Sequence, residues 1–178
     1  GNDVYGNSVL DGGSVTLGAT IAQGTNKADA AAVAGALVGL AGSDAKSTNQ
    51  SSAQTNVRDS GINASGVVNI TANSVTKQTA DATGYVFGIA ALGSNDAESI
   101  SETVTRAIVT DMTGITAGGL NLTATGTDDN FATAVAGSGG VVAGAASSAD
   151  TTTNSTTEAL IKTSTVADSF LVGVTDGT

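Results

Sequence analysis

The chain has 178 residues and contains no Cys, His, Pro or Trp. Without Cys there is no disulfide framework and no thiolate metal site. Without His as well, nucleophile–base catalysis of the usual kinds lacks its parts, and zinc lacks its favoured ligands. Aromatic residues are few: Tyr5, Tyr85, Phe87, Phe131 and Phe170. A core therefore cannot lean on large rings. It has to be assembled from Val, Ile, Leu and Ala, which fill a narrow space well and a wide one badly. Positive charge is also scarce. Six bases (Lys27, Lys46, Arg58, Lys77, Arg106 and Lys162) stand against 16 acids, for a net charge of −10. They are scattered, so the clustered Lys and Arg that phosphate contacts require are missing, and nucleic acid is not an expected partner. The acidic surface reads as a source of solubility.

Long hydrophobic stretches are lacking too. The most apolar one, ADAAAVAGALVGLAG at 28–42, is too short and too rich in Ala and Gly to span a bilayer, which takes about twenty apolar residues. Its Gly35-x-x-x-Gly39 spacing carries little weight outside a true span. No membrane span is expected. No secretory leader is visible and the first residue is Gly, which fits a processed product or an excised fragment.

What is present is Gly (24 residues), Ala, Thr, Ser and Asn, with 40% hydrophobic and 12% charged residues. The Val, Ile and Leu residues stand in patterned positions, which argues against a disordered chain. The pattern is a repeat. A Val/Leu-x-Leu/Ile segment opens each unit: Val15/Leu17, Val68/Ile70 and Leu120/Leu122. An Ala/Gly/Val run follows, then a Ser/Asn/Asp/Ala cluster, then a Ser/Thr-rich stretch and a second apolar element ending near Ile62, Ile115 or Val166. Val15 to Val68 is 53 residues, Val68 to Leu120 is 52 and Ile62 to Ile115 is 53. Such a period implies stacked units, each burying its face on the next. The units run over about 13–66, 67–119 and 120–170, with less regular ends at 1–12 and 171–178, in a single domain over 1–178.

The opening segments alternate. In Val68-Asn69-Ile70-Thr71-Ala72, one face is apolar and the other polar. Period two and β-branched residues indicate strands. The Ala runs are ambiguous on propensity, but their Gly residues weaken a helix, and they too are read as strands. The fold class expected is all-β: a parallel β-solenoid, or β-helix, of about three 52–53-residue repeats, forming an elongated rod. A 52-residue unit is too long for one coil of a narrow solenoid, so two or three turns per unit are expected. That gives roughly seven to ten rungs at about 4.8 Å each, a rod on the order of 35–50 Å long. Its interior is expected to be dry, and its exterior to carry Thr and Asn ladders. No capping segment is visible at either terminus. Two expectations fit: a slice of a longer solenoid, or a subunit whose open ends stack end to end.

VNITA, GYVFGIAALGSNDAES and TRAIVTDMTGITAGG, with LNLTA, AVAGSGGVVAGAASSAD and TEALIKTSTV in the third unit, resemble the large leukotoxin-type filamentous adhesins of bacteria, related to the filamentous haemagglutinin group. The likeness covers roughly residues 13–168. It implies a secreted or cell-surface β-solenoid used in attachment or surface coating, with a host or surface receptor or glycan as partner. It brings no catalytic motif.

No catalytic, cofactor-binding or metal-binding residue is assigned, and an enzyme is not expected. Two carboxylates could serve a carbohydrate-active β-helix. Asp128-Asp129 and Asp96 with Glu98 are the candidates, but no aromatic platform or basic cluster accompanies them, and Asp128 and Asp129 read as solvated turn residues. Calcium could use carboxylate and carbonyl oxygens, yet the nine-residue calcium-roll pattern is absent, and no cofactor is expected. Asn-x-Ser/Thr triplets at Asn49, Asn63, Asn69, Asn121 and Asn154 are expected by chance in such a composition.

Overall fold

The computed structural model describes residues 2–4, 9–112, 114–164 and 172–177, and these contain strands and no helix. The chain begins with β1 (Asn2–Val4), β2 (Val9–Gly12), β3 (Val15–Gly35), β4 (Val38–Asn49), β5 (Ser52–Arg58) and β6 (Gly61–Ala64). Next come β7 (Val67–Phe87), β8 (Ala90–Ser101), β9 (Val104–Met112) and β10 (Gly114–Thr116). The remaining strands are β11 (Gly119–Gly139), β12 (Val142–Thr153), β13 (Thr156–Ser164) and β14 (Val172–Gly177). The Ala/Gly/Val runs are strands, as expected from the Gly residues that interrupt them.

Four sheets result, all parallel: β14-β11-β7-β3, β12-β8-β4, β1-β5-β9-β13 and β10-β6-β2. In every pairing a residue meets its counterpart 52 or 53 positions away. Val15 lies beside Val68, Val68 beside Leu120, and Leu120 beside Val172. The shift from 53 to 52 in the first unit falls inside β3, between Ala22 and Thr25, as a bulge at Gln23-Gly24. One extra residue on one strand is what a bulge absorbs.

This register bears on the expected coil size. No described strand pairs within its own period; every pairing joins residues 52 or 53 positions apart, which gives no support for two or three turns per unit. The sheets are three or four strands deep. Four strands at about 4.8 Å span on the order of 15 Å, not the expected rod of 35–50 Å. The long dimension instead follows the 21-residue strands β3, β7 and β11, about 70 Å of chain at 3.3 Å per residue. The physical reason is side-chain size. β7 runs out, turns at Gly88-Ile89, and β8 returns facing it. Ala, Ser and Gly between the two sheets allow a long, flat circuit.

The interior has two widths. Near the start of β7, β9 and β10 close against it, and there the core is wide and aliphatic. Val57, Ile62, Val68, Ile70, Val109, Ile115, Leu120 and Leu122 fill it, each almost fully buried. Burying such a side chain is worth roughly 1.5–3 kcal/mol, so most of the hydrophobic stabilisation lies here. Farther out the core thins to Ala45, Ala80, Ala82 and Ala97. At Gly84 the facing sheets meet closely, and a Cβ there would run into the Asn95 amide. Asn95 links three levels of the stack. Its Oδ1 accepts from Ser43 Oγ at 2.9 Å, and its Nδ2 donates to the Val135 carbonyl.

Between the aliphatic and Ala-lined parts, the interior is polar, a second correction to the dry core expected from sequence. Ser74, Thr76, Gln78, Ser99, Ser101, Thr103 and Thr105 are all buried. Alternation forces this. Val68, Ile70 and Ala72 point inward, so Ser74, Thr76 and Gln78 must follow them, and Val75 goes out. Short hydroxyl side chains can satisfy one another across the gap. Ser74 Oγ lies 2.7 Å from Thr105 Oγ1, and Asn49 Nδ2 donates to Thr103 Oγ1 at 3.1 Å.

Candidate functional site

Asp128 and Asp129 lie in the middle of β11, not in a turn. As neighbours on a strand they face opposite sides of the sheet. Asp129 points outward and pairs with Lys77 at 3.1 Å. Asp128 points into the polar interior, where it accepts a hydrogen bond from Thr76 Oγ1. Burial pushes its pKa up, but hydrogen bonds from Ser155, Thr76, Thr103 and Ser101 outweigh burial and hold it below the usual carboxylate range. With a sheet between them, the two carboxylates cannot flank one glycosidic bond as a pair. Asp96 and Glu98 sit on the outer face of β8, level with Asp44 and Lys46 of the strand below. Glu98 pairs with Lys46 at 2.6 Å. Among the described residues, no three acidic side chains converge in a way that could hold a metal ion.

The scattered bases acquire an order in three dimensions. Lys46–Glu98, Lys77–Asp129 and Arg106–Glu158 each join residues one period apart, and Lys27 pairs with both Asp29 and Asp81. Opposite charges meet directly across or diagonally between adjacent strands, the arrangement that favours pairing over repulsion. The acids beside Lys27 and Lys46 raise both lysine pKa values. The outer faces also carry amide contacts between levels. Asn121 Nδ2 donates to Asn69 Oδ1 at 2.9 Å, and Gln50 Nε2 donates to Glu102 Oε2 at 2.7 Å. Of the Asn-x-Ser/Thr positions, Asn69 and Asn121 thus form a ladder, while Asn49 is buried.

The feature that sequence reasoning missed lies at the far end of the circuit, around the two-residue turns. Val33, Tyr85, Phe87 and Val135 project from the β3-β7-β11 face. Val38, Leu40, Leu92 and Val142 project from the β4-β8-β12 face, and Leu37, Ile89 and Val141 form the rim between them. All are exposed, most by more than half, and Val141 reaches 85%. A shallow groove of about 340 Å³ runs between Leu40 and Leu92, floored by Gly42 and Gly93. No charged residue occurs within 30–43, 82–95 or 130–149, the stretches that build this end. A signal was available. In 82–93 both alternating positions are apolar, so whichever set faces in, the outward set is apolar as well.

A second groove, of about 300 Å³, lies on the outer side of β5 and β9 and is lined by Gln54, Asn56, Arg58, Ile108 and Thr110. No helix of the described residues is long and apolar enough to cross a membrane. No protein-family model matches the chain, and neither does any curated protein or solved structure.

Proposed function

We propose that the chain is a β-solenoid of about three repeats with one 52–53-residue coil per repeat. It serves as a structural or adhesive element on the outside of a bacterial cell, in the manner of the filamentous-haemagglutinin-like adhesins it resembles. The observation that carries this reading is the register. Four parallel sheets keep the same offset throughout, interrupted by single-residue shifts, so each level can template the next. Backbone ladders running from level to level make such a body stiff along its stacking axis. Paired charges and Asn contacts on the outside hold the levels in line. Its ligand would be a host or surface receptor or glycan. Antibody labelling of intact cells of the source organism tests the location. Label on the outer surface is expected, and label only after permeabilisation overturns the reading.

A second reading is favoured by one specific observation. Among the described residues, most of β3 and all of β4 pair on one side only, and so do residues 126–139 of β11 and all of β12. Unpaired edges of this length invite another strand. The chain would then be a filament subunit whose levels continue from one copy to the next, a head-to-tail contact that does not close. Electron microscopy of the purified chain separates the readings. Fibres support stacking, whereas discrete particles at high concentration oppose it.

A further inference from the structure

We infer that the apolar far end of the circuit is a lateral self-association surface, and that its occupant is the same end of a second copy of this chain. Three observations lead there. The first is area. The eleven large apolar side chains on this end are 42% to 85% exposed. Together they present on the order of 1,000 Å² of apolar surface, divided between two sheet faces and the rim, where an ordinary monomer's largest patch is roughly 300–600 Å².

The second is shape. Both sides of the end are sheet faces with side chains in ladders, Leu40 beside Leu92 and Val38 in line with Val142. Flat sheet faces pack on one another about 10 Å apart, and a patch meeting its own copy about a two-fold axis needs no other complementary surface. The groove between Leu40 and Leu92, with Gly42 and Gly93 at its floor, receives a ridge of the same kind.

The third is charge. Each chain carries a net charge of −10, and all of it lies outside the three charge-free stretches. Two copies that overlap at these ends bury neutral surface and keep their acidic bodies apart, so the repulsion that would oppose most other contacts is least here. A lipid surface fits less well. Asp44, Asp81 and Asp96 border the stretches and would be repelled by anionic headgroups. The exposed edges of β3, β4 and β12 would also bring unpaired backbone groups into hydrocarbon.

The contact is lateral. It therefore differs from end-to-end stacking and does not depend on a cell-surface role. Analytical ultracentrifugation of the full chain over roughly 1–500 μM, where interfaces of this size dissociate, reads the outcome. The expected result is a mass rising from the 17.0 kDa monomer towards the dimer, since a two-fold contact closes on itself. A variant carrying Leu40→Thr, Tyr85→Thr, Phe87→Thr and Leu92→Thr is expected to stay monomeric, with an unchanged β-type circular dichroism spectrum. Should that variant fail to fold, Leu37→Ser with Ile89→Ser, confined to the turns, tests the same surface and is expected to weaken association at least tenfold. A wild-type chain that stays monomeric throughout overturns the inference. So does association that persists undiminished in a folded variant, which would point to the strand edges. Flotation of a monomeric wild-type chain with phosphatidylcholine vesicles would assign the surface to lipid and likewise overturn it.

Discussion

The ring of Tyr85 lies over Gly137 of the adjacent strand, so that a Cβ on Gly137 would stand 2.6 Å from Tyr85 Cδ1. Phe87 covers Gly139 in the same way. A ring spread over a neighbouring glycine shields backbone that would otherwise face water. Some glycines face backbone instead. At Gly88 and Gly140 a Cβ would strike the carbonyl of the turn one level below, Ala36 or Gly88 respectively. The two kinds of site should respond differently to substitution. Gly137→Ala is expected to displace the Tyr85 ring at a cost of about 1 kcal/mol or less, because the ring can swing outward. Its readout is greater acrylamide quenching of tyrosine fluorescence. Gly88→Ala has no such escape and is expected to cost about 3 kcal/mol or more in thermal or urea denaturation.

Leu122 and Leu92 distinguish inside from outside. Leu122 is fully buried in the wide core, and Leu92 is 57% exposed at the far end. Leu122→Ala is expected to lose about 2–5 kcal/mol, through lost burial and the cavity left behind. Leu92→Ala is expected to change monomer stability by about 0.5 kcal/mol or less. Urea midpoints measured at low protein concentration check both. Equal losses would mean that Leu92 is not on an outward face of β8.

Gln78 is fully buried, and neither end of its amide has a hydrogen-bond partner within the protein. An unmet buried polar group costs about 1–3 kcal/mol. Met has nearly the same length and no such demand. Gln78→Met is therefore expected to raise the melting temperature. A lower melting temperature would show that the amide is satisfied in solution and that the polar interior depends on it.

Asp128 makes stability depend on acid. Its folded pKa lies below the ordinary carboxylate value because buried hydroxyls donate to the ionised form. A depressed folded pKa contributes stability that is present above the unfolded pKa, near about 3.9, and is lost as pH falls through the folded value. The wild-type chain is thus expected to weaken as pH drops below about 4. Asp128→Asn is expected to be less stable at neutral pH, since an amide presents donors to hydroxyls that were donating. It should also show a flatter decline in the acid range. Parallel melting curves over that range, with Asp129→Asn as the outward-facing control, decide it. The control should keep the wild-type acid slope.

The 52–53-residue period and the strand phase were legible in the sequence because both are one-dimensional. Val15, Val68 and Leu120 stand at the same point of each unit, and period two marks the inward set wherever polar and apolar residues alternate. The inward Ser74, Thr76 and Gln78 could have been read by carrying the phase forward from Ala72. They were not, because polarity alone pulls such residues to the outside in any reading by residue type. The same habit placed Asp128 in a solvated turn, although it shares a phase with Leu120 and Leu122. The apolar far end was only half legible: with Tyr85 and Val86 both apolar, one apolar set must face out, but alternation does not say whether it is the one that holds Phe87.

Composition and periodicity by themselves determined that this chain forms strands, that units recur every 52–53 residues, and that no thiol or imidazole chemistry is available. Only the tertiary structure decided which strands pair, and across what distance along the chain. Spacing along the chain fixes which residues are equivalent but not which backbone groups bond, and that depends on whether two sheets can approach closely enough to share Ala, Ser and Gly between them. Because they can, backbone groups pair across one full period. Lys46 meets Glu98, Asp128 turns away from Asp129, and the apolar residues of three levels gather at one end.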